Sequence, residues 1–506
     1  MVRTVCCLVA SVVLFLVHQE VRSEPPARTA AEDGKDNDAE PQQSADRDED
    51  SQAGEGDDEG FDDGFDDDSL NKEAFEHKEV KKASAWSPSV GGFTRSDVAL
   101  WSERFDAEPI AKLRQSLDLE MRWKFEFLRC IVQLHGEYDF ATLVDRDRFD
   151  QPTLDAYQYK LNTREAFLEG QFGDFQIALG RLIEVWGAGD LFSPLDVANP
   201  RDLREPGTTD LDDIRLPVLG TRLSWTHGRH GFDLLLIHEH DTGYRPAPLS
   251  DFSPLRAIID DDPTLGQFLQ GKSLEYRSAQ ERFATDGQAL MARWRWNGPS
   301  IDMTVLVGSL LDRQGVFGLS DDVDLTSANL SIDLKSPRYE MIGHTGTWVA
   351  GKWLFTWELS YEHGRHFNIS EEPPFPTDDA NVINGLLGVR FTGLSDVILS
   401  LEIQRSFLTT DLDSLLFDVE ALNVGLLATY TTLSETLEIS VALLMSGLEA
   451  QYGWLGRGEV GWRIQDGLRV GAGYISYHPG DELGLFYGLA THDRIFLGLR
   501  WDFQIL

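Results

Sequence analysis

REAFLEGQFGDFQIALGRLIEVWGAGDLFSPLDVANPRDLR, residues 164–204, decides how the rest of this chain is read. Its opening alternates: Ala166, Leu168, Gly170 and Phe172 share one face, and Glu165, Phe167, Glu169 and Gln171 share the other. A period of two over that length describes an extended strand with one oily and one wet side. Gly173-Asp174 is a turn dipeptide, and a second extended run over 175–187 follows directly, so the two halves predict a tight hairpin. From 188 to 217, Gly, Pro, Asp and Asn recur too often for a strand and over too great a length for a plain connection. A two-faced hairpin feeding a long ordered loop is how a membrane barrel builds a constriction.

Alternation of the same kind spreads outward from this hairpin. Over 116–127, Leu117, Leu119, Met121, Trp123, Phe125 and Phe127 face one way, and Asp118, Glu120, Arg122, Lys124 and Glu126 the other. The final run points Ile495, Leu497, Leu499, Trp501, Phe503 and Ile505 to one side and Arg500, Asp502 and Gln504 to the other. It resembles the closing strand read by the barrel-insertion machinery, although Leu506 stands where such strands usually carry Phe. Short connections fall at Gly173-Asp174, 228–230, 297–299, 350–352, 392–395, 433–435 and 465–467. Long ones alternate with them, at about 142–161, 188–216, 241–285, 312–325, 365–381, 408–420 and 480–492. That parity belongs to periplasmic turns and outer loops and predicts about eighteen strands, with sixteen as the next count. The segment 327–349 reads as one long strand kinked at Ser336-Pro337, two short strands being the other fit. Trp101, Trp225, Trp294, Trp296, Trp353, Trp357 and Trp462 lie near the ends of these runs, as in aromatic girdles. Beyond the N-terminus no apolar run reaches the roughly 18 residues a spanning helix needs. Only helices and closed barrels satisfy every backbone group in hydrocarbon, so the expected fold is all-β, a closed antiparallel transmembrane β-barrel.

Residues 1–23 make an export signal: Arg3, an apolar core over 5–17, and short side chains before Glu24, with cleavage expected after Ser23. Cys6 and Cys7 open that core instead of closing it, which argues against a lipoprotein. Without them Cys130 stands alone, so no intramolecular disulfide can form, and in an apolar alternating run its thiol reads as inert. Over 24–82 acidic residues outnumber basic ones by about three to one, and large apolar side chains are scarce, a composition expected to be disordered. Asp46, Asp48 and Asp50 have the spacing of a calcium loop, but Ser51 stands where its sharp turn wants Gly. Residues 83–506 are left for the barrel. A formal net charge of -40 argues against nucleic acid as a partner and predicts an acidic lumen with a weak preference for cations.

The run REAFLEG, then ALGRLIEVWGAGD, then SPLDVANPRDLRE resembles the bacterial outer-membrane barrels grouped as domain of unknown function 1302. In that family a strand ending in Trp-Gly leads into Asp and then Asn-Pro-x-Asp. Matching that pattern are Arg164, Glu165, Gly180, Arg181, Trp186, Gly187, Asp190, Asp196, Asn199, Pro200, Asp202 and Arg204, while Leu182 stands where a Gln is expected. The likeness is sharp over 164–205 and diffuse, through strand pattern, over 86–506. It implies a porin-type barrel in the outer membrane of a Gram-negative bacterium, of a kind met beside exporters or uptake systems for hydrophobic compounds.

By parity 188–216 is the third outer loop, the position at which general porins fold a loop into the lumen. The residues expected at the constriction are Glu165, Arg181, Glu184, Asp190, Asp196, Asn199, Asp202 and Arg204, with Pro194, Pro200 and Pro206 limiting how far the loop flexes. The plainer reading has Asp196, Asn199 and Arg204 capping turns and pairing with Glu165 and Arg181, which holds the loop shut. His238 and His240 share a face and could meet on one metal, yet no third ligand is near; His227, His230, His363 and His366 sit at turns and loops. With no G-x-S-x-G, H-E-x-x-H or phosphate-binding Gly loop, no catalytic, metal or cofactor site is expected. Residues 254–259 and 265–274 could form one or two short helices, capping the outside or plugging the lumen. The expected function is passage of small molecules, hydrophobic ones among them, across the outer membrane. The alternatives are a barrel hydrolase and a structural or assembly barrel partnering a periplasmic or inner-membrane transporter. The expected partners are outer-membrane lipid, the barrel-insertion machinery, the cargo, and an inner-membrane exporter or uptake system.

Overall fold

A computed structural model describes residues 88–505, apart from 145, 209–212, 320–323, 370–375, 411, 413–414, 417–418, 481–483 and 485. The export signal over 1–23, the acidic segment over 24–82 and the calcium-loop spacing of Asp46, Asp48 and Asp50 lie outside the described residues.

Alternation becomes strand almost throughout. In chain order the first strands are β1 (Ser89–Trp101), β2 (Ile110–Lys124), β3 (Leu128–Asp139), β4 (Tyr159–Phe172), β5 (Phe175–Leu182), β6 (Val218–His227) and β7 (His230–Ile237). There follow β8 (Ser273–Ser278), β9 (Ala289–Asn297), β10 (Ile301–Leu311), β11 (Val316–Leu319), β12 (Asn329–Lys335), β13 (Arg338–Ala350) and β14 (Trp353–Asn368). The last are β15 (Thr377–Leu394), β16 (Val397–Leu408), β17 (Asn423–Thr432), β18 (Leu437–Ser446), β19 (Trp454–Gln465), β20 (Leu468–His478) and β21 (Arg494–Gln504). Of these, β8, β11 and β12 form a separate three-stranded sheet, and the other strands form one 18-stranded antiparallel sheet. That sheet closes where β1 pairs with β21, from Gly91↔Gln504 to Trp101↔Arg494. Closure leaves no unpaired edge, the condition for strands to stand in hydrocarbon.

The two faces sort as the alternation predicts. On β2, Ser116 and Asp118 are buried inside while Leu117 points out at 45% exposure. On β21, Ile495, Leu497, Leu499 and Trp501 are exposed, and Arg494 is 1% exposed on the inner face. A belt of outward Leu, Ile, Val and aromatic side chains around a closed barrel is a lipid-facing surface, so the protein is an outer-membrane barrel. Near the short turns Trp353 packs on Phe391 at 4.4 Å and Trp225 on Phe232 at 5.7 Å, as a headgroup-level girdle would.

Several expectations need correction. Trp101 is not in a girdle: it is 2% exposed on the inner face, with the Arg104 guanidinium 3.9 Å above its ring and His492 edge-on at 5.4 Å. The run 116–127 is interrupted, because β2 ends at Lys124 and Phe125 N–H donates to Leu128 O across a tight turn. The run 175–187 ends as strand at Leu182. Beyond it the N–H of Ile183 donates to Glu165 and that of Glu184 to Asn199, so side chains replace the ladder. The single kinked strand over 327–349 is two strands in different sheets. Pro337 offers no N–H and Ser336 N–H is taken by Gln280 Oε1, which breaks the ladder between β12 and β13. The helices expected within 254–274 are Pro254–Asp261 and Pro263–Leu269, the second capped by the Asp262 side chain, while Leu274 belongs to β8. Leu255 of the first packs with Leu274, Leu330 and Ile332, so the helix is bound to the small sheet.

Candidate functional site

The loop between β5 and β6, residues 183–217, is held at its neck by one side chain. Asn199 Nδ2 donates to Leu216 O (2.6 Å) and Leu182 O (3.3 Å), and its Oδ1 accepts from Glu184 N–H (2.7 Å). One amide thus joins the last residue of β5 to the approach of β6. Beside it the Glu184 carboxylate accepts from Arg222 (2.6 Å) and Trp186 Nε1 (3.3 Å). Arg181 is buried 3.6 Å from Glu239, which also accepts from Arg282 (2.9 Å) and Leu219 N–H (2.7 Å).

From the neck, residues 188–195 reach β14 and β16, six and eight strands round the barrel from β5. Two carboxylates of that far wall hold them by the backbone. Glu358 of β14 accepts from the N–H groups of Ala188 (2.5 Å), Gly189 (3.0 Å) and Leu195 (3.1 Å), and from the Ser193 hydroxyl (3.0 Å). Glu402 of β16 accepts from the N–H groups of Asp190 (2.5 Å), Leu191 (3.0 Å) and Phe192 (2.9 Å). Asp190 then pairs with Arg390 of β15, whose Nε lies 3.2 Å away, and accepts from Ser400 (3.1 Å). The glycines of the Trp-Gly-Ala-Gly-Asp stretch make this approach feasible. A Cβ on Gly187 would stand 1.6 Å from Ser193 Oγ, and one on Gly189 would stand 1.8 Å from Phe192 O.

The loop divides the lumen unequally. On one side Trp186, Leu195 and Ala198 pack against Leu235, Ile237, Met291, Leu306, Leu310 and Met341, from the inner faces of β7, β9, β10 and β13. That patch of the wall is apolar inside as well as outside, because the loop covers it and excludes water. On the other side a cavity opens against β1 to β4 and β19 to β21. Nine Arg and Lys side chains line it, among them Arg95, Lys160, Arg164 and Arg457, against the four carboxylates of Asp97, Glu137, Asp202 and Asp213. The acidic lumen expected from net charge is therefore not what this cavity presents: several counter-ions, Glu205 and Asp196 among them, do not line it.

All the expected constriction residues but Asp196 fall into three places. Glu165, Arg181, Glu184 and Asn199 make the neck, and Asp190 sits at the far wall. Asp202 and Arg204 face the cavity, with Asp202 3.0 Å from Lys160 and Arg204 bonded to Asp202 (2.7 Å), Glu137 (2.8 Å) and Ala156 O (2.6 Å). Burial alone would raise the Asp202 carboxyl, but Arg204 and Lys160 hold it below the usual carboxylate range. Asp196 pairs with Arg215 (2.8 Å) and Arg201 (3.1 Å). The pairing of Asp196, Asn199 and Arg204 with Glu165 and Arg181 is thus replaced by bonds within the loop, to β3 and to the neck carbonyls. Glu358, Glu402 and Glu205 were not singled out from the sequence. The first two lie buried on the inner face of their strands, and an acceptor for backbone amides has no partner residue to betray it. His238 bonds Thr221 (2.8 Å), His227 Asp174 (2.9 Å) and His363 Asn381 (2.7 Å). Among the described residues no group of His, Cys, Asp and Glu could hold a metal.

A closed 18-stranded barrel with a long loop pinned across its lumen defines the porin-like class of outer-membrane barrels. Residues 110–436 match the family model described as Protein of unknown function (DUF1302), and the chain belongs to that family. No curated protein matches it. Among solved structures it is similar to Acinetobacter baumannii OccAB3, with 10% identity, TM-score 0.45, and 83% of this chain and 100% of that one covered. It is also similar to Pseudomonas aeruginosa OccK8 (OprE), with 9% identity, TM-score 0.48, and 83% and 99% covered. A third is Pseudomonas aeruginosa OccK2 (OpdF) in complex with glucuronate, with 11% identity, TM-score 0.46, and 83% and 99% covered.

Proposed function

We propose that this barrel is a channel that passes small anionic molecules across the outer membrane, with loop 183–217 setting its narrowest point. The observation that carries the reading is the charge of the cavity: nine cationic side chains face it against four carboxylates. In a confined, partly desolvated space such an excess attracts anions and repels cations over a distance comparable with the cavity itself. Cations on the strands and on the loop face the same space, so a solute passing the loop meets them in succession. This favours a charged cargo over the hydrophobic one that the family resemblance implies. An inner-membrane exporter or uptake system remains a natural partner, since a channel of this kind only equilibrates its cargo.

Planar-bilayer recording under a salt gradient tests the reading. The reversal potential is expected to have the sign of anion preference; a cation-selective pore, or a folded protein that never conducts, overturns it.

A further inference from the structure

Glu205 lies on the loop, yet its carboxylate sits among cations of the barrel wall. Its Oε1 accepts from Arg114 of β2 at 2.6 Å, its Oε2 contacts Lys112 of β2, and Arg494 of β21 stands 3.8 Å away. Thr208 Oγ1 donates to Oε2 at 3.0 Å. Among the described residues Glu205 is the only carboxylate within 4.0 Å of Lys112 and of Arg494, whereas Arg114 also reaches Asp139 at 3.4 Å and Glu137 at 3.9 Å. Three wall cations thus converge on one carboxylate that the loop supplies. Two further observations show that the cluster has binding capacity to spare. The Nε atoms of Arg114 and Arg494 are buried with no acceptor among the described residues. Lys112, Arg114 and Arg494 all line the cavity that a solute would enter, and Glu205 does not.

We propose that Lys112, Arg114 and Arg494 form a binding site for a carboxylate-bearing solute, and that the loop's own Glu205 fills it at rest as an internal surrogate. An arriving carboxylate exchanges with Glu205 and releases that side chain from the wall, while Asp202 on Lys160, Arg204 on Glu137 and Tyr477 OH on Pro206 O still hold the loop. The inference rests on the anion-passage reading and deepens it. Exchange is the favourable route because the buried cations are never left without a counter-charge, whereas removing Glu205 with nothing in its place strands them. Planar guanidinium and ammonium donors around one small group suit a carboxylate better than a spherical halide, which cannot be gripped through two oxygens. The surrogate is tethered, so a free solute must outcompete a high local concentration, and cargo passes only when abundant.

Equilibrium dialysis of radiolabelled succinate against the full-length protein in detergent tests this, with heat-modifiable gel migration reporting that each variant is folded. Glu205→Gln is expected to bind succinate at least about tenfold more tightly than the parent, since the competitor has lost its charge. Glu205→Asp keeps a carboxylate and is expected to stay near the parent. Adding Arg494→Gln to Glu205→Gln is expected to abolish the gain. Thr208→Val weakens the surrogate without touching the cations and gives a smaller tightening, an independent route should Glu205→Gln fail to fold. Unlabelled acetate is expected to compete, and equal competition by chloride at matched ionic strength overturns a carboxylate site. Binding that is no tighter in Glu205→Gln or Thr208→Val than in the parent overturns the surrogate role. The reversal potential separates the two readings: an anion-selective parent with unchanged variant binding sinks the surrogate alone, and a cation-selective parent with tightened binding sinks the passage reading alone.

Discussion

Asn199 and Glu358 show how unequally single residues announce themselves. Asn199 is legible because its job is local: an Asn beside a Pro, in a breaker-rich stretch after a strand, is a natural tie for two nearby carbonyls, and it bonds Leu182 O and Leu216 O. Glu358 is illegible because it serves N–H groups about 165 residues away, and a backbone amide looks the same in every residue. The glycines of Trp-Gly-Ala-Gly-Asp lie between these cases, visible as breakers but not as the clearance that lets Ser193 and Phe192 fold back. Glu358→Ala should strand the N–H groups of Ala188, Gly189 and Leu195, each bond to a charged acceptor being worth about 1.5–3 kcal/mol. The expected outcome is a loop that leaves the far wall, seen as larger and noisier single-channel currents with gel migration of the folded barrel unchanged. Currents indistinguishable from the parent's would mean that Glu402 and Arg390 suffice. Gly187→Ala should act in the same direction, because the added methyl and Ser193 Oγ cannot both keep their places.

The loop as an element is anchored by carboxylates whose titration sets its acid tolerance. Burial would raise Glu205, but Arg114, Lys112 and Arg494 hold it well below its ordinary 4.5, and Asp202 lies below its ordinary 3.8 under Arg204 and Lys160. A carboxyl depressed in the docked state contributes its full docking energy above its ordinary value and loses it only as pH falls through the depressed one. Conductance is therefore expected to hold from neutral pH down to about 4.5 and to change only in stronger acid, which recordings at stepped pH would check. A transition between pH 7 and 5 would place control elsewhere. Elements were legible wherever one face met lipid, since period two survives there whatever lies inside. The alternation blurs where the inner face is also apolar and breaks where the ladder is cut. On β7, Asp233, Leu235 and Ile237 all point inward, and the last two are oily because Trp186 and Leu195 of the loop cover that wall. At Ser336-Pro337 a missing N–H sends one half of a continuous-looking run into another sheet.

For the whole molecule, barrel and loop are separable in principle: barrel strands bond to neighbouring strands, and the loop bonds mostly to side chains. Replacing 188–207 with a short Gly-Ser link should leave a folded barrel with several-fold higher conductance and weaker ion preference, since the wall cations then act across a wider and better-screened space. A deletion that fails to migrate as a folded barrel would instead make the loop part of the fold, through the packing of Trp186 and Leu195 on the β7 to β13 wall. The seam between Ser89–Trp101 and Arg494–Gln504 carries a different consequence. The strand made earliest among the barrel's staves finds one of its two neighbours only when the last stave has been made. Until then its row of N–H and C=O groups is an open template for any passing chain, and a truncated product has no smaller cylinder to fall back on. How long that first stave waits is set by where the ring is joined.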